Sequence, residues 1–93
     1  MEGRADGFVA ECFWPDVDEA DLAELDRRIE DVAAEPENAH GVHYLGSILL
    51  REDEVVLCQF RGEADAVREL AIRAQIPFER ILEATRWDGE DRR

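Results

Sequence analysis

Six residues of this 93-residue chain put polar or titratable groups among apolar neighbours: Glu11, His43, Ser47, Gln59, Glu83 and Trp87. Glu11 sits inside the aromatic run Phe8–Trp14. Burial raises the pKa of a carboxyl group there, which suits a proton acceptor or a ligand. The competing role is an ion pair with an arginine, such as Arg86 of a second copy. His43 has the chemistry of a proton shuttle or metal ligand, or of a plain interface histidine. Ser47 and Gln59 read as hydrogen-bonding groups, since no base stands near Ser47 in sequence to make it a nucleophile. Trp14, Tyr44 and Trp87 offer flat rings that either stack on a ligand or fill a core.

The remaining reactive types say less. Cys12 and Cys58 stand 46 residues apart without a CxxC pair, which excludes a zinc ribbon or a thioredoxin-type site. They read as inert core residues on neighbouring central strands. His40 and His43 are three residues apart, and in an extended strand that odd spacing sends them to opposite sides.

Six elements must position these groups. Phe8 to Trp14 reads as a first strand ended by Pro15. Asp18 is placed to cap a helix, with Val17 and Leu22 as its hydrophobic staple. Leu22, Leu25, Ile29 and Val32 recur at helical spacing until Pro36. Gly41–Leu50 and Val55–Phe60, joined by Arg51–Glu54, form a hairpin. A second helix is expected from Glu63 to Ala74, and a last strand from Ile81 to Trp87.

The order strand, helix, strand, strand, helix, strand predicts an α+β, ferredoxin-like βαββαβ fold. It has a four-stranded antiparallel sheet in the order 4-1-3-2, with both helices on one face. Residues 1–93 are expected to form one domain with an ordered core of about 8–87. Side-chain alternation then puts Glu11, His43, Ser47 and Gln59 on the face without helices, and Glu83, Thr85 and Trp87 are expected to join them. A sheet face this apolar calls for cover. A homodimer built as a dimeric α+β barrel supplies it and encloses a cavity that holds a small molecule.

Charge narrows the partners. The chain carries 24 acidic against 11 basic residues, all of them arginine, for a net charge of −13. That disfavours nucleic acid, whose binding rests on phosphate contacts. No stretch is apolar enough to span a bilayer, and the N-terminus lacks the apolar core of a signal peptide. A cytoplasmic location without membrane attachment is expected.

The segments Gly41–Tyr44, Cys58–Glu69 and Ala74–Glu83 resemble a family of small actinobacterial ferredoxin-like domains of unknown function that includes nickel-binding proteins. The resemblance covers roughly Val9 to Ala84 and implies a dimeric α+β barrel. The nickel-binding members carry several histidines. Here His43 stands at one such position, Glu11 or Cys12 near another, and Ile72 or a neighbour and Ile76 replace the others. Nickel prefers imidazole-rich sites, so no cofactor is expected. A divalent metal, if one is bound, would draw on His43, Glu11 and Cys12.

The sequence therefore predicts a small dimeric protein that binds a small molecule between two sheets. The alternatives are a cofactor-independent monooxygenase or isomerase using Glu11 or His43 as base, a divalent-metal binder, and a structural interaction module.

Overall fold

A computed structural model of the chain describes residues 7–36, 38 and 41–85. Its elements run β1 (Gly7–Phe13), α1 (Glu19–Ala33), β2 (His43–Leu50), β3 (Val55–Arg61), α2 (Ala64–Arg73) and β4 (Arg80–Ala84). The four strands form one antiparallel sheet in the order β2-β3-β1-β4. This is the ferredoxin-like arrangement that the element order predicts. The last strand is shorter than expected, and Arg86 and Trp87 lie outside the described residues, as does His40.

Local chemistry sets the helix ends. The Asp18 carboxylate accepts from the Asp21 N–H at 2.8 Å, and the Asp21 carboxylate accepts from the Asp18 N–H at 3.1 Å. This reciprocal box satisfies two amides at the start of α1. At the end of α2, Gln75 adopts φ 59°. Its N–H donates to the Ile72 carbonyl while that of Ile76 donates to the Ala71 carbonyl, both at 3.0 Å, the Schellman closure. Arg28 of α1 then donates to the carbonyls of Ala74 and Gln75 at 3.0 and 3.1 Å. One arginine therefore neutralises the negative end of α2 and ties the helices together.

Both helices pack on one sheet face. Leu25 and Ile29 from α1 and Val67, Leu70 and Ala71 from α2 are buried there. They meet Ala10, Cys12, Val56, Cys58 and Phe60 from the central strands. The buried core is wholly apolar among the described residues. Trp14, Val17, Leu22 and Tyr44 pack around its margin, so Trp14 and Tyr44 are core rings rather than cavity rings. The turn Arg51–Glu54 is fastened to the end of β1 by the Trp14 N–H, which donates to the Glu54 carbonyl at 2.8 Å.

One irregularity decides which side chains face where. The β2–β3 pairing runs Tyr44 against Phe60 and then Gly46 against Gln59. Leu45 is the extra residue of a β-bulge, and Gly46 takes φ 112°. Every residue of β2 beyond the bulge is therefore turned over relative to simple alternation.

Candidate functional site

The site is the sheet face that the helices leave open. Residues paired across an antiparallel sheet share a face, so the register gives its rows. The first holds Ala84, Gly7, Arg61 and His43, and the second Leu82, Val9, Gln59 and Gly46. The third holds Arg80, Glu11, Leu57 and Ile48, and the last Phe13, Val55 and Leu50. Phe13, Leu45, Ile48 and Leu50 are between 41% and 55% exposed, a large apolar area for one chain to present to water.

Two hollows lie on this surface. The larger, about 630 Å³, is lined chiefly by Val9, Leu45, Ile48, Gln59, Arg61 and Ala84, with Thr85 at its border. The smaller, about 440 Å³, is lined by Glu11, Phe13, Val55, Glu79 and Arg80.

Three expected site residues reach this face. Gln59 lines the larger hollow. His43 is exposed and lies opposite Arg61 in the first row. Glu11 lines the smaller hollow, where the Arg80 Nε donates to its carboxylate at 2.6 Å. That bond holds Arg80 firmly protonated, with its pKa raised above the ordinary value. Glu11 has thus found an arginine within its own chain, Arg80; Arg86 lies outside the described residues.

Two expectations need correction. Ser47 pairs with Cys58 and so lies on the helix-covered face, because the bulge at Leu45 reverses the alternation on which its placement rested. Glu83 pairs with Phe8 and also projects to the helix side, because β4 presents Arg80, Leu82 and Ala84 to the open face. Trp87 lies outside the described residues.

The metal candidates do not converge within one protomer. Cys12 is buried on the helix side. Glu11 and His43 stand in rows four residues apart and on strands two apart. That is about 13 Å along the strands and about 10 Å across them. Among the described residues no three of His, Cys, Asp and Glu gather closely enough to hold a metal ion.

Arg61 is the functional candidate that sequence reasoning missed. The expected hairpin strand Val55–Phe60 stops one residue short of it. Continuing the alternation Val55, Leu57, Gln59 by one step places it on the open face, and the strand does extend that far.

No protein-family model and no curated protein sequence matches the chain. Among solved structures, it is similar to the crystal structure of SCO4226 from Streptomyces coelicolor, with a TM-score of 0.69. The match covers 88% of this chain and 99% of that one at 15% identity. The likeness is one of fold. Among the described residues no helix is long and apolar enough to cross a membrane.

Proposed function

We propose that the chain acts as a homodimer whose open sheet faces meet and enclose a small-molecule-binding chamber. The observation that carries this reading is the open face itself, an exposed apolar surface with a hollow of about 630 Å³ near its first two rows. That volume lies within the usual range for small-ligand sites.

Charge selects the second copy as the cover. The molecule carries −13 overall, and α1 alone presents Glu19, Glu24, Glu30 and Asp31 outward. The open face holds two acids, Glu11 in its rows and Glu79 at the smaller hollow, against two arginines, Arg61 and Arg80. Two copies therefore approach through these faces without the repulsion that any helix-side contact would meet. The two hollows would then be roofed by the partner sheet, and water would be excluded from the larger one.

Light scattering after size exclusion tests the assembly. A mass twice the 10.6 kDa subunit at micromolar concentration is expected. Replacing Ile48, which is 44% exposed on this face, by arginine should reduce the mass to one subunit while far-ultraviolet circular dichroism stays unchanged. A single-subunit mass for the native chain would end the proposal.

A further inference from the structure

We propose that the larger hollow binds an organic anion, an apolar body carrying one carboxylate or similar group, with Arg61 as the residue that recognises the charge. The inference rests on the small-molecule reading of the same hollow.

The lining of that hollow is unlike the rest of the molecule. Acids make up 24 of 93 residues, yet none of the ten residues around the hollow is acidic, and one is an arginine. Chance would place two or three acids there. Carboxylate partners are found for Arg28, Arg51, Arg73 and Arg80. Arg27, Arg61 and Arg68 have no carboxylate partner among the described residues. Arg27 and Arg68 lie on the helices, Arg68 over the Phe78 ring, and Arg61 is the one of the three that lines a hollow on the open face. Its neighbours in the rows are His43, Gly7 and Gln59, and none of them is an anion.

The geometry matches one class of ligand. A guanidinium offers a planar fork that grips a carboxylate through two parallel hydrogen bonds. Gln59 adds a neutral amide beside it. Val9, Leu45, Ile48 and Ala84 provide an apolar wall for the remainder. The Leu45 side chain reaches this wall because the bulge leaves it unpaired. A cation would find only Gln59 to coordinate it and Arg61 to repel it. A wholly apolar ligand would leave the guanidinium desolvated without a partner, which is costly once a second sheet covers the hollow.

Two fluorescent probes of similar size test the assignment: anilinonaphthalene sulfonate, an anion, and N-phenylnaphthylamine, which is uncharged. The native protein should bind the sulfonate saturably, at one site per chain and at least about tenfold more tightly than the amine. Arg61→Gln should remove that preference by weakening the sulfonate, with affinity for the amine equal to or above the native value, whereas Arg61→Lys should retain part of the preference. Equal affinity of the native protein for both probes would overturn the inference, as would an Arg61→Gln variant that keeps the preference. The mass of each sample is measured in parallel. A single-subunit native protein that still prefers the sulfonate defeats the dimer and keeps the anion site. A native dimer that turns monomeric on Arg61→Gln would show Arg61 to be an interface ion-pair residue, which also overturns the anion site.

Discussion

Arg80 and Glu11 face each other across the β4–β1 pairing, with the Arg80 Nε donating to the Glu11 carboxylate at 2.6 Å. Both side chains project from the open face, and the Arg80 side chain remains 64% exposed. The carboxylate is thus committed to a cation at the surface of the sheet.

Glu11→Gln should therefore change little. Exposed ion pairs contribute modestly because water and salt screen them, so the thermal midpoint is expected to move by no more than a few degrees. The same variant should leave binding in the larger hollow intact, since Glu11 lines the smaller one. A large loss of ligand affinity, measured by probe titration, would show that Glu11 acts on the ligand directly.

Gly46→Ala should destabilise by about 1–2 kcal/mol through the backbone alone. Gly46 has φ 112°, and a Cβ built there meets nothing within 4 Å. The cost is therefore conformational and separate from packing. Urea unfolding measures it. An unchanged midpoint would mean that the bulge relaxes to accept an ordinary residue.

Tyr44→Phe should be neutral or stabilising by up to about 1 kcal/mol. The Tyr44 hydroxyl is buried without a hydrogen bond among the described residues. Its ring packs against Phe60 with centroids 5.4 Å apart, a contact that phenylalanine keeps. Burial also pushes the hydroxyl pKa well above its ordinary value of 10.0, with Ser47 and Asp26 as the polar groups that influence it. A loss of more than 1 kcal/mol in urea unfolding would reveal a partner for that oxygen.

Stability should fall as pH rises above about 9. Contact with Cys12 and then burial push the Cys58 thiol above its ordinary value of 9.0. At Cys58 the folded chain keeps a proton that the unfolded chain releases, so this contribution is complete below 9 and is lost at higher pH. The same contact lowers the Cys12 thiol, whose contribution has the opposite sign, and the decline is carried by Cys58 together with burial. Tyr44 adds a loss of the same sign above 10.0. Unfolding midpoints at pH 8, 9, 10 and 11 should trace the decline. In the double variant Cys12→Ala, Cys58→Ala the decline should begin about one unit later. A flat profile from 8 to 11 in the native chain would contradict the burial of these groups.

The order of elements, the cap at Asp18 and the buried face of α1 were readable from the residues because each rests on local chemistry or on an uninterrupted period. Alternation also placed Glu11, His43 and Gln59 correctly. It failed at Ser47, because a single inserted residue inverts all that follows. A glycine inside an apolar strand was the available sign of that insertion. Glu83 was misplaced for a different reason: Arg80, Glu83 and Arg86 blur the pattern of the last strand, and only pairing with β1 fixes its facing. Arg61 escaped notice because a strand's final residue is hidden beside the glycine that ends it.

The bulge at Leu45 has one more consequence. β2 is the outermost strand on its side of the sheet, and it is eight residues long and largely apolar. Such a rim is a template on which further chains can stack into fibres. The kink at Leu45 and Gly46 breaks the straight ladder of amides and carbonyls that stacking needs. The residue that reshapes the open face thereby also guards the protein against polymerising along its own border.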